Sequence, residues 1–276
     1  MSARTISLPA DIVGLRLVLS MSGGKDSTAA ALALREAGLD FAMVFADTGW
    51  EAPETYAHLD YLRSQLGPID VVGVPGGMRA KILKRAGFPA RMQRWCTQEL
   101  KLEPLRSYHD KIEASGEETV CVVGVRAAES AARAKMLELE DEPVGARSWG
   151  GWVWRPLLHW TVEDVIRIHN RYGVRMNPLY HLGHDRVGCY PCIFARKEEI
   201  RLIAEHRPER IDDIRELETM VTGERARRNE EKPGRYTYPE GTFFQGRGDS
   251  GREGLMKIDN VVKWSKTSRG ASRCLS

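Results

Sequence analysis

Arg16-Leu-Val-Leu-Ser20 runs through Met21 into Ser22-Gly23-Gly24-Lys25-Asp26-Ser27, and an Ala/Leu-rich stretch follows over residues 28–37. A short apolar strand, a polar turn with paired glycines and a helix, in that order, make a βα unit. The two glycines let backbone N–H groups reach an anion without side-chain obstruction, and the start of the helix adds partial positive charge. Ser22 and Ser27 add hydroxyl donors, and Lys25 adds a cation able to neutralise a phosphate. The turn is not a Walker A loop, because Leu19 stands where that motif needs a glycine, five residues before Gly24. A plain Gly-Gly turn with Asp26 capping a helix is the simpler alternative. Six matching positions between a strand and a helix favour a phosphate loop.

Outward from the loop, the first half of the chain alternates strand and helix. Gly38 closes the first helix, and Phe41-Ala-Met-Val-Phe45 is a second strand ending at Asp47-Thr48-Gly49. Residues 53–66 place Tyr56, Leu59, Leu62 and Leu66 at helical spacing. Asp70-Val-Val-Gly-Val74 is a third strand, and Thr119-Val-Cys-Val-Val-Gly-Val125 a fourth, apolar at nearly every position as a doubly covered strand should be. The pattern predicts an α/β fold: a doubly wound, mostly parallel, Rossmann-like sheet of about five strands, with ligands at the carboxyl ends. Residues 152–158 read as an edge strand, and 162–172, 196–206 and 211–228 as helices. The expected organisation is a nucleotide-binding domain over 1–150, a helical cysteine-bearing extension over 151–228, and a basic irregular arm over 229–276.

The composition narrows the class. In 276 residues, 41 Lys/Arg against 38 Asp/Glu give only +3, but the last 52 residues hold 12 basic and 6 acidic groups. No apolar run reaches the length of a membrane span, and residues 1–14 hold no secretory signal. An odd number of cysteines, five, argues against a disulfide scaffold and for a reducing cytoplasm. Gly188-Cys189-Tyr190-Pro191-Cys192 suits zinc, an iron–sulfur cluster or a redox dithiol. Cys96 stands alone, Cys274 lies near the terminus, and Cys121 inside the fourth strand reads as a packed hydrophobe.

Two resemblances sharpen this. The loop resembles the SGGxDS pyrophosphate loop of N-type ATP pyrophosphatases, the adenine-nucleotide alpha-hydrolase-like group. That likeness implies ATP held with Mg²⁺ by Ser22, Gly23, Gly24, Lys25, Asp26 and Ser27, with Lys25 and Asp26 catalytic. Over residues 15–195 the chain also resembles the phosphoadenosine phosphosulfate (PAPS) reductase family. Asp47-Thr48-Gly49 with Pro53-Glu54-Thr55, then Cys96 with Lys101 and Pro104-Leu105, follow its order. Gly124-Val-Arg126-Ala-Ala-Glu129-Ser130 with Arg133, Asn177-Pro-Leu-Tyr180 and Arg186-Val-Gly-Cys189-x-x-Cys192 complete it. This resemblance implies nucleotide contacts from Asp47, Thr48, Gly124, Arg126 and Arg133, with Arg126 catalytic. It further implies a [4Fe–4S] cluster on Cys96, Cys189 and Cys192.

The departures decide between activities. Cluster-bearing reductases carry tandem cysteines where this chain has Trp95-Cys96, so Cys274 completes the ligand set or one iron stays open. Their terminal Glu-Cys-Gly-Leu-His motif is reduced here to Arg273-Cys274-Leu275-Ser276, which puts a nucleophilic role for Cys274 in question. Their loop is degenerate, whereas this one is complete, and a pyrophosphate grip serves ATP rather than adenylyl sulfate. The expectation is ATP cleavage to AMP and pyrophosphate, adenylylating an acceptor for sulfur transfer. A thioredoxin-linked sulfonucleotide reductase using Cys274 and a non-catalytic nucleotide or redox sensor are the rivals. The arm offers Arg225, Arg227, Arg228, Lys232, Arg235, Arg247, Lys263, Lys266, Arg269 and Arg273 to a nucleic-acid acceptor. Tyr236, Tyr238, Phe243, Phe244 and Trp264 would stack on its bases or pack on the domain. A sulfur donor such as a cysteine desulfurase is the expected partner, a homodimer the oligomeric expectation, and no membrane is involved. His181 and His184 read as spare ligands or ordinary hydrogen-bonding loop residues, and Trp95 and Tyr190 as shields for a cluster.

Overall fold

The computed structural model describes residues 4–143, 149–236, 240–245 and 255–268. The chain divides into two compact units, each discontinuous in sequence. The first comprises Met1–Val74, Thr97–Leu182 and Arg186–Cys189; the second comprises Pro75–Cys96, Gly183–Asp185 and Tyr190–Ser276. The strands are β1 (Arg16–Met21), β2 (Phe41–Asp47), β3 (Asp70–Gly73), β4 (Thr119–Val123), β5 (Leu139–Glu142), β6 (Gly151–Trp154), β7 (Phe244–Gln245) and β8 (Leu255–Met256). The principal helices are α1 (Lys25–Glu36), α2 (Pro53–Leu66), α3 (Gly77–Arg85), α4 (Glu103–Glu113), α5 (Val162–Tyr172), α6 (Lys197–His206), α7 (Pro208–Glu231) and α8 (Ile258–Ser265).

In the first unit six strands form one sheet in the order β3-β2-β1-β4-β6-β5. Five run parallel, and β5 joins β6 antiparallel at the edge. The expected α/β sheet is therefore present, with one correction. Residues 152–158 are not an edge strand, because β6 lies between β4 and β5. The true edge, Leu139-Glu-Asp-Glu142, has too many carboxylates to read as a strand, and edge strands tolerate such charge. It is fastened by the buried Arg155, which bonds Glu142 and, at 3.1 Å, Glu140.

The sheet is covered on both faces. Ala29, Leu32 and Ala33 of α1, Leu59 and Leu62 of α2, and Val165 and Ile168 of α5 belong to one apolar cluster. On the other face Leu105 of α4 packs with Val18, Val44, Cys121 and Trp149. Small alanines along α1 let that helix lie close to the sheet. Thr161 and Asp164 form a capping box at the start of α5, and Gly173 ends it in the left-handed region. Residues 151–174 belong with this unit because β6 is hydrogen-bonded beside β4. Strand order reverses between β1 and β4, so the loops that follow these two strands meet at the topological switch point.

The second unit is helical. α7 buries Ile211, Ile214, Leu217 and Val221. Its Glu218, 2% exposed, accepts the N–H groups of Phe243 and Ile258. The stretch expected to be irregular is thus partly built: α8 buries Ile258 and Val261, and Phe243 is 1% exposed. A helix of eight residues flanked by glycines gives too short a periodicity to stand out in sequence. No helix among the described residues is long and apolar enough to cross a membrane.

Candidate functional site

β1 ends at Met21 and α1 begins at Lys25, leaving residues 22–24 as the whole turn. Gly23 has φ of +70°, and a Cβ there would lie 2.9 Å from Thr55 Cγ2, so this position needs glycine twice over. Ser27 organises the turn. Its hydroxyl donates to the Gly24 carbonyl at 3.1 Å and accepts the Ser22 N–H at 3.1 Å. The Ser22 hydroxyl, 3.0 Å from Ser27 Oγ, accepts the Gly24 N–H at 3.3 Å.

The carbonyls of the turn are held from behind. Asn177 Nδ2 donates to Gly23 O at 3.1 Å, Thr28 Oγ1 to Gly24 O at 3.1 Å, and His169 Nε2 stands 2.9 Å from Lys25 O. Tyr180 Oη accepts the Lys25 N–H at 3.1 Å. Three consecutive carbonyl oxygens are therefore committed to protein donors, which is what an anion-binding turn requires of its negative ends. Sequence reading quoted Asn177 and Tyr180 within a family segment without giving them this role, and it missed His169. A polar residue on the buried face of the amphipathic α5 was the available signal.

The charges of the loop are coupled. Asp26 accepts Arg126 Nε through Oδ1 at 2.6 Å and Lys25 Nζ through Oδ2 at 2.9 Å. Lys25 Nζ also sits 4.9 Å from the centre of the Tyr180 ring. Arg126, 7% exposed, follows β4, and its N–H donates to Glu129, which in turn pairs with Arg133. Gly124 makes this meeting possible: a Cβ there would fall 2.5 Å from Asp26 O. Of the expected residues, Ser22, Gly23, Gly24, Lys25, Asp26, Ser27, Gly124 and Arg126 come together. Arg133 joins them only through Glu129.

At the end of β2, Asp47 Oδ1 accepts the Gly49 N–H and the Tyr56 hydroxyl, each at 2.8 Å. Thr48 is fully buried and donates its hydroxyl to Glu51 at 2.7 Å. Glu51, which sequence reading did not single out, also accepts the Trp50 N–H at 3.1 Å and forms an isolated backbone bridge with Cys189. Burial, with Asp47 and Glu51 beside it, pushes the Tyr56 hydroxyl far up, so it stays a donor.

Cys189 lies in the first unit and Cys96 and Cys192 in the second; all three are half-buried. Such thiols suit a thiolate-ligated cluster in kind. Among the described residues, no three His, Cys, Asp or Glu side chains are gathered as a metal-ion site. Cys121 is buried, and desolvation pushes its thiol up to about 12, as fits a packed strand residue. Cys274 lies outside the described residues, as do Tyr238, Arg247, Arg269 and Arg273. Lys101 lies in the π-turn Gln98–Leu102. His181 is exposed, whereas His184 is buried against the Tyr190 ring at 5.4 Å. Arg85 covers Trp95, and in the arm Arg225 and Arg235 cover Tyr236 and Lys197 covers Trp264. Of the arm's aromatics, Phe243 packs in the unit and is not presented to a partner.

A phosphoadenosine phosphosulfate reductase domain matches residues 16–195, most of the chain, including the turn after β1, Asp47 and Arg126. The chain belongs to the PAPS reductase family. An uncharacterized 37.8 kDa protein of Escherichia phage 186 is 32% identical, covering 93% of this chain and 90% of that protein. An uncharacterized protein of Methanocaldococcus jannaschii is 33% identical over 64% of this chain but only 36% of its own length. The adenosine 5'-phosphosulfate reductase of Anoxybacillus flavithermus is 26% identical over 55% of this chain and 62% of that enzyme. Among solved structures, the phosphoadenylyl-sulfate reductase of Candida auris in a phosphate complex aligns with a TM-score of 0.49 and 18% identity, covering 66% of this chain and 84% of that one.

Proposed function

We propose that this PAPS reductase family member splits ATP into AMP and pyrophosphate, adenylylating an acceptor that then receives sulfur. The observation that carries the reading is the complete loop, with three carbonyls tied back and Lys25 and Arg126 held on Asp26. Two cations against one carboxylate leave a net positive pocket at a helix start, suited to the departing pyrophosphate. The Ser22 and Ser27 hydroxyls and the loop amides would turn from each other to the phosphate oxygens. Arg126, fixed at the end of β4, would steady the α-phosphate as the acceptor oxygen attacks.

Mg²⁺ needs oxygen ligands. Both oxygens of Asp26 accept from cations, whereas Asp47 takes its two hydrogen bonds through Oδ1, so Asp47 Oδ2 is the better candidate ligand. Cys96, Cys189 and Cys192 would hold a [4Fe–4S] cluster, with Cys274 as a further thiol. When bound, that group would supply the sulfur-handling chemistry. A nucleic-acid acceptor at the basic arm and a cysteine desulfurase as sulfur source complete the proposal.

A second reading, a sulfonucleotide reductase with Cys274 as nucleophile and thioredoxin as reductant, is favoured by relatives named adenosine 5'-phosphosulfate reductase. Incubation with ATP, and separately with adenylyl sulfate or PAPS, separates the two. Pyrophosphate release from ATP is expected; sulfite release without it would give the second reading the site. The double variant Ser22→Ala, Gly24→Ala should abolish ATP turnover, since a Cβ on Gly24 would press Tyr180 Oη at 3.2 Å and Ser22 Oγ at 3.3 Å. Turnover surviving that change would mean the loop is not the ATP site.

A further inference from the structure

Within the first unit, α2, the end of α5 and residues 174–181 enclose a cavity of about 580 Å³, a size typical of small-molecule sites. Two buried imidazoles set its character. His169 is 2% exposed, and its nitrogens stand 2.9 Å from two carbonyl oxygens, Nε2 from Lys25 O and Nδ1 from Val174 O. Both nitrogens are thus set against the backbone, and His169 has none left for an occupant. Arg175 supplies the positive charge of the wall, its guanidinium 4.2 Å from the centre of the Tyr61 ring.

His58 lies beside them, 5% exposed, and its buried Nε2 has no hydrogen-bond partner in the protein. Burial, with His169 and Arg175 nearby, pulls it down to about 4, so it is neutral at pH 7. Glu54 brings one carboxylate to the same lining, and His181 stands there exposed. Lys25, Asp26 and Arg126 lie beyond His169 on the loop side, two cations on one carboxylate. Arg175 is the cation and Glu54 the anion of this lining, on a wall otherwise supplied by Tyr61, Val174, Met176 and Pro178.

We propose that this cavity binds a small planar organic carboxylate, its anionic end received by His58 and Arg175 and its ring by the apolar wall. The carboxylate supplies what His58 lacks, an acceptor for a protonated nitrogen. Binding therefore favours the protonated form of His58 and raises its titration midpoint. Because His169 also holds the Lys25 carbonyl, the occupant rests against the brace of the phosphate loop. The proposal does not depend on what that loop binds.

The test is calorimetry of the full chain with benzoate at pH 7. Saturable binding is expected, with no comparable heat from the neutral isostere benzamide. His58→Gln should weaken benzoate by roughly ten- to a hundred-fold, the worth of one charged hydrogen bond. Should that variant fail to fold, the ring-proton NMR titration of His58 in the parent decides. Its midpoint must rise in saturating benzoate. No saturable heat at millimolar benzoate, equal binding of benzamide, equal competition by inorganic phosphate, or an unmoved His58 midpoint would each overturn the assignment.

Discussion

Replacing Gly124 by alanine tests the junction on which the site depends. The added Cβ would lie 2.5 Å from Asp26 O, 2.7 Å from Asp26 C and 2.8 Å from Ser27 Cα. All three are backbone atoms, so no side chain can swing aside. Ordinary contact begins near 3.4 Å, so the end of β4 and the start of α1 must part by almost 1 Å, the gap between 2.5 Å and that value. Arg126 reaches Asp26 at 2.6 Å, and a shift of this size breaks that charged bond. Overpacking costs about 1–3 kcal/mol, and a charged hydrogen bond is worth about 1.5–3 kcal/mol. Urea unfolding should show the first loss, and calorimetry with a non-hydrolysable ATP analogue a weakening of roughly tenfold or more. Gly188→Ala is the control, because a Cβ there meets nothing within 4 Å. If Gly124→Ala matched the parent in stability and bound the analogue within about twofold, the close approach of β4 to the loop would not govern the site.

Three other outcomes are expected. Burial pushes the Asp164 carboxyl up, but the Thr161 N–H, the Arg167 guanidinium and the Thr161 hydroxyl outweigh it and bring it down to about 2. Its folded value lies below the ordinary 3.8, so its stabilisation is present above about pH 4 and lost as pH falls toward 2. Asp164→Asn should therefore destabilise at pH 7 and flatten the acid limb of a pH–stability curve; an unchanged limb would refute this. Glu218→Ala strips the acceptor from the Phe243 and Ile258 N–H groups, and hydrogen exchange at those two amides should accelerate together while β1 stays protected. Cys189→Ser, purified anaerobically, should lose bound iron and brown colour, whereas Cys121→Ser, altered inside β4, should keep both; iron retained by the first variant removes Cys189 from the ligand set.

The α/β architecture was legible because β1, β2 and β4 are apolar at nearly every position and α1, α2 and α5 are closed by Gly38, Gly67 and Gly173. Expected and observed limits of α2 coincide, and β1 and β2 run only one and two residues beyond the reading. Where the reading failed, tertiary charge pairing had replaced hydrophobic pattern. β5 is acidic and exists because Arg155 is buried against it. The turn over residues 22–27 was legible as a unit because its six residues are contiguous. Its bracing was not, because Asn177 and His169 lie 154 and 144 residues away from the carbonyls they meet. Nothing in local spacing announces a partner at that distance; only the packing of α5 against α1 brings it home.

An aspartate inside an anion-binding loop looks self-defeating, since Asp26 subtracts one of the two positive charges around it. Its geometry answers the objection. Lys25 and Arg126 are like charges drawn to one small volume, and each long side chain would otherwise swing toward solvent to escape the other. Asp26 bonds one through each oxygen, at 2.9 and 2.6 Å, and so holds both where, on the proposed function, a phosphate would arrive. The cost is a weaker field in the empty site. On that reading the gain is that little side-chain reorganisation would remain when charge builds on the leaving group, and preorganised charge is what lowers a barrier. The same carboxylate ties the loop after β1 to the loop after β4, converting the switch point of the sheet from a crevice into a defined site.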